Sequence, residues 1–420
     1  MDYLVNLPFN SKPSTIMHID LNSCFATIEQ QANPLLRGRP IAVAAYITQN
    51  GCILAPSVEA KKFGVKTGMR VKEGKLLCPD LQILGPDPWK YRNIHVRLRD
   101  LISRYTSDFF PKSIDEFVLN FEGYPSFKIG LHQAGKEIKQ KIKEDIGDWL
   151  TVSIGIGPNR FLAKLAANLK KPDGLEEINS QNYQQIYSKL TLVDLNGIKT
   201  ANAVRLNNVG IHTLGDFYQA PVSQLRSAFK SILGYYWYLR LRGWEIDDVE
   251  FSRKSYGNMY SLPMSLSEPQ ELSPLLHKLV EKCSFRMRRA GFSAMGVHVA
   301  LLYRDHSFWH HGGTVHREPL FNANDIYNYA YRIMVSSPYR KPVANLSVSL
   351  FDLKKSDFSQ LDLFNEIAKK INLTRAVDKI KEKWGDYVIT PAMMLGTEDN
   401  VPDRVAFGNI KELEQFINSG

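Results

Sequence analysis

Three carboxylates are the groups in this sequence best suited to catalysis: Asp20, closing the alternating stretch 15–20, and the adjacent pair Asp115-Glu116 inside an aromatic, β-branched run. Carboxylates at strand ends among apolar neighbours lose hydration on burial, and bound cations are the usual compensation. Phosphoryl and nucleotidyl transfer suit a pair of Mg²⁺ ions, one activating the attacking hydroxyl and the other neutralising the leaving pyrophosphate. Neighbours in a regular strand point to opposite faces, so Asp115 and Glu116 can share a site only where the strand begins or turns. Pro111-Lys112-Ser113 lies just upstream and supplies such a place. The competing reading is an acidic pair capping a strand at the surface, the commoner setting for such pairs.

A second feature is cationic. Gly155-Ile156-Gly157-Pro158-Asn159 precedes a predicted helix with Leu162, Leu165 and Leu169 on one face and Arg160, Lys164 and Asn168 on another. Near a carboxylate site, that basic face suits a triphosphate; without one, it is the solvated side of an amphipathic helix. Lys61 and Lys62 on an earlier helix carry the same ambiguity.

These groups need elements to hold them. The stretch 15–20 reads as a strand running into Asn22-Ser23, which can open a helix through Phe25, Ile28 and Glu29. A strand over 41–46 leads to a helix over 58–63 stopped by Gly64, and further strands are expected over 114–121 and 152–156 with a helix over 131–146 between them. From 181 to 244 the pattern changes to short helices with turns at Gly197-Ile198-Lys199 and Val209-Gly210-Ile211. After a charged linker over 245–254, strands over 296–303 and 344–351 and helices over 273–290 and 324–336 describe a small α+β domain. Leu373, Val377, Ile380 and Trp384 mark a later amphipathic helix.

The totals agree with several modules sharing one job, since 420 residues correspond to about two to four domains at roughly 100–200 residues each. A net charge of +10 favours a polyanionic partner, although an anionic membrane surface satisfies the same arithmetic. The apolar stretch 41–47 is far too short to cross a bilayer, and no basic segment followed by an apolar run opens the chain, so a cytoplasmic location is expected. Cys24, Cys52, Cys78 and Cys283 are widely spaced and read as small buried hydrophobes in a reducing compartment. His306, His310, His311 and His316 are read as histidines without a metal, since the thiolates of a structural zinc site are missing.

The run His18-Ile19-Asp20-Leu21-Asn22-Ser23-Cys24-Phe25-Ala26 is followed by Glu59-Ala60-Lys61-Lys62-Phe63-Gly64-Val65, Ser113-Ile114-Asp115-Glu116, Ser153-Ile154-Gly155-Ile156-Gly157-Pro158-Asn159 and Lys171-Pro172-Asp173-Gly174. This ordered set resembles the motifs of the Y-family DNA polymerases over roughly residues 15–355, with details similar to the bacterial polymerase IV and polymerase V branches. The resemblance implies a multidomain α/β and α+β right-hand fold. Its palm would span 1–23 and 87–178, fingers 24–86, a helical thumb with helix-hairpin-helix-like turns 179–246, a linker 247–255, a little finger 256–355 and a tail 356–420.

It further implies metal ligation by Asp20, Asp115, Glu116 and the Leu21 carbonyl, with Mg²⁺ as cofactor and Mn²⁺ able to substitute. Phe25 falls at the aromatic steric gate against the ribose 2′-hydroxyl, and Lys164 and Lys61 at triphosphate-binding positions. Val58 and Lys61 stand where the family often carries Tyr and Arg, and Lys61 lacks the planar fork that grips phosphate at two points. Lys199 replaces the second glycine of the best-formed hairpin turn, while Arg286, Arg288, Arg289, Arg304, Arg332 and Arg340 are candidates to track a DNA backbone. Gln360-Leu361-Asp362-Leu363-Phe364 resembles the peptide by which bacterial polymerases dock on the sliding clamp; otherwise it is one face of a helix packed on this chain.

The implied function is error-prone, template-directed DNA synthesis in damage tolerance and repair, on primer-template DNA and deoxynucleoside triphosphates, by a monomer apart from accessory proteins and without a membrane partner. A non-catalytic clamp-bound adaptor and a DNA-binding structural protein are the rivals, and retention of all three carboxylates argues against both.

Overall fold

The computed structural model describes residues 7–249, 252–314, 318–355, 366–385 and 387–401. The chain divides between Val249 and Glu250 into two compact units.

The first unit runs β1 (Ile16–Leu21), α1 (Cys24–Ala32), β2 (Ile41–Ala44), β3 (Ile53–Pro56), α2 (Val58–Lys62), α3 (Val71–Leu77), β4 (Gln82–Leu84), α4 (Pro88–Ile102), β5 (Phe109–Pro111), β6 (Glu116–Asn120), α5 (Leu131–Lys141), β7 (Val152–Gly157), α6 (Arg160–Leu169) and β8 (Leu175–Glu177). A five-stranded sheet has the order β5-β6-β1-β7-β8, and a three-stranded sheet the order β3-β2-β4. β1 is central in the larger sheet and antiparallel to both neighbours, with Asp20 opposite Glu116 and His18 opposite Gly155. Its two faces differ. Met17, Ile19 and Leu21 enter the main core with Leu98, Phe117, Leu119, Ile138 and Ile154. Ile16 packs on Ala163 of α6, and His18 and Asp20 share its side of the strand. Helix α6 can lie this close because β7 carries glycine there: a Cβ at Gly155 would stand 2.0 Å from the Ala163 carbonyl oxygen.

The short helices α7 (Tyr183–Tyr187), α8 (Thr200–Asn207), α9 (Leu214–Gln219), α10 (Val222–Phe229) and α11 (Leu233–Leu241) complete this unit around Leu195, Ile198, Phe217, Leu225 and Trp237. Both expected turns are present, with Gly197 at φ +98° and Gly210 at φ +81°. Residues 7–10 are tied to the end of this helical region: the Leu7 amide donates to the Tyr238 hydroxyl at 3.0 Å, and the buried Arg242 guanidinium donates back to the Leu7 carbonyl at 3.0 Å.

The second unit is a four-stranded sheet in the order β11-β10-β12-β9, formed by β9 (Ser255–Leu266), β10 (Phe292–Tyr303), β11 (Phe308–Thr314) and β12 (Val343–Lys355). Its core joins Val297, Val299, Leu301, Leu346, Val348 and Leu350 to Leu276, Leu279 and Met287 of α12 (Pro269–Arg289) and Ile326 and Ala330 of α13 (Ala323–Val335). Sequence pattern alone does not single out β9, whose Gly257, Asn258 and Pro263 read as breakers. It is an edge strand, where proline is tolerated, and its register with β12 shifts between Val343 and Asn345.

Several expectations change. The helix expected over 131–146 is α-helical only to Lys141 and continues as a π turn over Ile142–Ile146. Cys52 is exposed, not a buried hydrophobe. The amphipathic helix is present as α14 (Glu366–Trp384), but Leu373 and Trp384 are exposed, whereas Thr374 and Lys381 are buried. It docks by its polar face: Asp378 takes two 2.7 Å hydrogen bonds from Arg288, and Lys381 donates to Glu281 at 2.7 Å. Charge pairing, not the apolar stripe, seats this helix on α12.

Candidate active site

A cleft of about 670 Å³ in the first unit is lined by Asp20, Leu21, Asn22, Val58, Lys61, Ser113, Asp115, Glu116 and Lys171 among others. The main-sheet strands reach it at the end of β1 and the start of β6, and α2 supplies its opposite side. The hairpin between β5 and β6 resolves the difficulty posed by adjacent carboxylates. The strand begins only at Glu116, while Asp115 sits in the bend before it, with the Lys112 amide donating to the Glu116 carbonyl at 2.8 Å. The Leu21 amide donates to the Asp115 carbonyl at 2.9 Å, so the pair is pinned to the end of β1.

The carboxylates are held differently. Asp20 accepts from the Lys171 ammonium at 2.6 Å, and Glu116 from that of Lys164 at 2.6 Å, both lysines meeting one oxygen only. Asp115 accepts from the Ser113 hydroxyl at 2.5 Å. Burial pushes Asp115 up to about 6, opposed by the Ser113 hydrogen bond and reinforced by the negative charges of Asp20 and Glu116. Burial also raises Asp20, with Lys171 opposing it. Ligand atoms of His18, Asp20 and Glu116 all lie within 4.8 Å of one another, and Asp115, held by Ser113, is outside that group. The carboxylate oxygens of Asp20, Asp115 and Glu116, with Asp20 and Asp115 both raised by burial, fit hard divalent cations such as Mg²⁺.

On the opposite side Lys61 is lowered by burial and then by the nearby Lys171, two ammonium groups crowded beside one cleft. The Lys164 amine is occupied by Glu116 and Lys164 does not line the cleft, whereas Lys171 does. The sequence signals Lys171 only through its run Lys171-Pro172-Asp173-Gly174, which by itself assigns the lysine no place in the site. What places it is Asn22, whose side-chain oxygen accepts from the Asp173 amide at 2.8 Å and whose amide donates to the Ser153 hydroxyl at 2.9 Å. Asn22 anchors the lysine-bearing loop beside Asp20.

Phe25 lies under the cleft and does not line it; it is 1% exposed and stacks on Tyr91 at 4.2 Å between ring centroids. Ser23 occupies the N-cap position of α1 with φ 50° and makes no capping hydrogen bond, so the helix opens without the chemistry expected of it. Lys199 is exposed at the start of α8.

The arginines of the second unit separate. Arg288 is bound to Asp378 and to the Phe321 carbonyl, with its side chain 11% exposed. Arg304 is exposed and donates to the carbonyls of Leu262 at 3.2 Å and Met264 at 3.0 Å, and Arg340 closes the end of α13 through the Ser337 and Val335 carbonyls. Arg286 reaches the Gly257 carbonyl at 3.3 Å, while Arg289 and Arg332 are exposed. The sheet face away from the helices carries Gly257, Ala300, Ser347, Ser349 and the His298–His310 pair, whose ring nitrogens are 3.2 Å apart. His316 and the segment Gln360 to Phe364 lie outside the described residues. No helix among the described residues is long and apolar enough to cross a membrane.

Comparison with known proteins fits this geometry. The profile of the impB/mucB/samB family matches residues 19–168, and that of the family's C-terminal domain matches residues 253–363. DNA polymerase IV of Pelotomaculum thermopropionicum is 32% identical over 387 residues, covering 90% of this chain and 95% of that protein. DNA polymerase IV 1 of Bacillus subtilis is 31% identical over 405 residues, covering 94% and 97%. Among solved structures, the Y-family DNA polymerase chimera Dbh-Dpo4(243-245)-Dbh superposes with a TM-score of 0.71 at 24% identity, over 80% of this chain and 98% of that one. The insertion ternary complex of Dbh DNA polymerase gives a TM-score of 0.57 with the same coverage. The fold is that of a right-hand polymerase with palm, fingers, thumb and little finger, and the chain belongs to the impB/mucB/samB family of Y-family translesion DNA polymerases.

Proposed function

We propose that this polymerase adds deoxynucleotides to a primer 3′-hydroxyl by two-metal-ion nucleotidyl transfer at Asp20, Asp115 and Glu116, in DNA damage tolerance and repair. The observation that carries the reading is the meeting of these three carboxylates at the end of β1, the start of β6 and the bend before it, beside a cleft whose other charged residues include Lys61, Lys62 and Lys171. Mg²⁺ is the ion that the oxygen donor set suits, and a bound pair would activate the hydroxyl and neutralise the departing pyrophosphate. The chain's own residues do the rest. Lys61 and Lys171 hold the triphosphate of the incoming nucleotide, the Leu21 carbonyl completes the ligand set, and Phe25 backs the sugar position against a 2′-hydroxyl.

In this reading residues 1–23 and 87–178 form the palm, 24–86 the fingers, 179–246 the thumb, 247–255 a linker and 256–355 the little finger. Lys199, the half-buried Arg286 and the exposed Arg289, Arg304, Arg332 and Arg340 meet phosphates of primer-template DNA. Gln360 to Phe364 dock on a sliding clamp, and the protein works in the cytoplasm.

Primer extension on a primed template with Mg²⁺ and the four deoxynucleotides tests the core of this reading. Extension that disappears in Asp115→Ala/Glu116→Ala supports it. A double variant as active as wild type refutes the catalytic assignment.

A further inference from the structure

His18 is the least explained polar group near the site. It is 1% exposed, and neither ring nitrogen has a hydrogen-bond partner. An imidazole buried this way loses its hydration without compensation. An apolar residue would serve better unless the ring has a role of its own.

Its surroundings indicate that role. His18 lies on the α6 side of β1, two residues before Asp20 and next to the Asp20–Glu116 cross-strand pair. Its Nε2 stands 3.6 Å from Oε2 of Glu116, and that same oxygen accepts from Lys164 at 2.6 Å. Oε1 of Glu116 accepts no hydrogen bond among the described residues. Both nearby donors therefore face the same oxygen, Oε2, of a carboxylate that lines the cleft. His18 does not line the cleft itself, so its ring stands behind Glu116 and not in the first coordination shell.

We propose that His18 is a positioning residue, whose Nε2–H closes onto Oε2 of Glu116 when a divalent cation is bound and, with Lys164, fixes Oε1 toward that cation. This rests on the carboxylate-site reading above. A neutral imidazole carries one N–H, and the 3.6 Å separation needs only a small rotation of the Glu116 side chain to become a hydrogen bond. Outer partners of this kind orient ligating carboxylates, and their loss typically costs about 10–100-fold in metal affinity.

The test is Mn²⁺ binding followed by electron paramagnetic resonance on full-length protein without DNA or nucleotide, for wild type, His18→Gln, His18→Leu and Asp20→Asn/Glu116→Gln. Gln places an N–H near the Nε2 position; Leu fills the space with no donor. His18→Leu is expected to bind Mn²⁺ about 10–100-fold more weakly while melting, metal-free, at the same temperature as wild type or higher; His18→Gln stays within about threefold of wild type. Wild-type affinity in His18→Leu overturns the proposal, as does nitrogen hyperfine coupling showing His18 bound directly to Mn²⁺. If Asp20→Asn/Glu116→Gln binds Mn²⁺ as wild type does, the carboxylate reading itself fails, and this proposal with it.

Discussion

The Lys171 ammonium lies 2.6 Å from a carboxylate oxygen of Asp20, on a loop that Asn22 ties to the end of β1. This lysine is the cation in direct contact with Asp20 among the described residues. If divalent ions bind Asp20 as proposed, they compete with this ammonium, and the triphosphate of a bound nucleotide would be its new anionic partner in the cleft. Lys171→Ala should therefore raise KM for deoxynucleotides about 10–100-fold, the worth of one charge-assisted hydrogen bond. Its Mn²⁺ affinity without nucleotide should stay level or rise, because a competing cation is gone. Weaker Mn²⁺ binding in this variant would show that Lys171 supports the metal site and not the nucleotide.

Lys164→Ala should show the opposite split. Its amine is already committed to Glu116 at 2.6 Å, so removing it loosens a candidate ligand and leaves the cleft lysines Lys61, Lys62 and Lys171 in place. Mn²⁺ affinity should fall by about tenfold or more. At saturating metal, KM for the nucleotide should change by less than about threefold, a smaller effect than that of Lys171→Ala. A large KM rise at unchanged metal affinity would return Lys164 to the triphosphate.

Asp115 gives a pH-dependent signature. Its carboxyl is pushed up to about 6 by burial and by Asp20 and Glu116, from an ordinary value near 3.8. A carboxyl whose folded value lies above its unfolded one favours folding fully only below the unfolded value, and that contribution is lost as pH rises through about 4 to 6. At neutral pH, ionised Asp115 thus opposes folding of the metal-free protein. Asp115→Asn should stabilise that form by about 1–3 kcal/mol at pH 7–8 and by little near pH 4. Thermal melts across this range check the sign. Added Mg²⁺ should raise the wild-type melting temperature and close the gap, since only wild type keeps the full ligand set. A variant less stable than wild type at pH 8 without metal would contradict the burial argument.

The path from residues to site is legible in the sequence because it rests on periodicity and on a few unusual charges. Asp20 at a strand end and Asp115-Glu116 at a turn can be read directly, and the condition that the strand begin or turn at the pair is met by the hairpin after Pro111, where β6 starts at Glu116. What escapes is tertiary. Lys164 and Lys171 are both basic residues of one helix-loop stretch, and only the close approach of α6 over Gly155 decides that Lys164 meets Glu116 and leaves the cleft to Lys171. His18 reads as part of an ordinary strand because burial without a partner has no signature in sequence. The apolar stripe of α14 misleads for the reverse reason: pairing with Arg288 and Glu281 wins over the periodicity that usually selects the buried face.

Phe25 combines two roles that one experiment can separate. It is a core aromatic stacked on Tyr91, so Phe25→Ala should cost about 3–5 kcal/mol of stability. Loss of folded protein lowers the rate with every nucleotide by the same factor and cancels in a ratio. The ratio of kcat/KM for a ribonucleotide to that for its deoxynucleotide isolates the gate, and should rise at least about tenfold if the ring excludes the 2′-hydroxyl. An unchanged ratio with a lowered melting temperature would leave Phe25 as a core residue alone.

Arg288 and Arg332 are both arginines on helices of the second unit, yet they should behave oppositely. Arg288 makes two 2.7 Å hydrogen bonds to Asp378, with side chains 11% and 17% exposed. Arg288→Ala strands a largely buried carboxylate and should destabilise this unit by about 3–5 kcal/mol. Arg288→Met with Asp378→Leu removes both charges and should recover most of that loss, because neither partner is left unpaired. Arg332 is exposed in the last turn of α13. Removing one phosphate contact reduces the slope of log affinity against log salt by about one. Fluorescence anisotropy on primed DNA at several salt concentrations should show that reduced slope for Arg332→Ala and the wild-type slope for the Arg288/Asp378 double variant. The same reduction in both would mean that the Arg288–Asp378 pair opens on DNA and that α14 releases its hold on α12 when the polymerase binds.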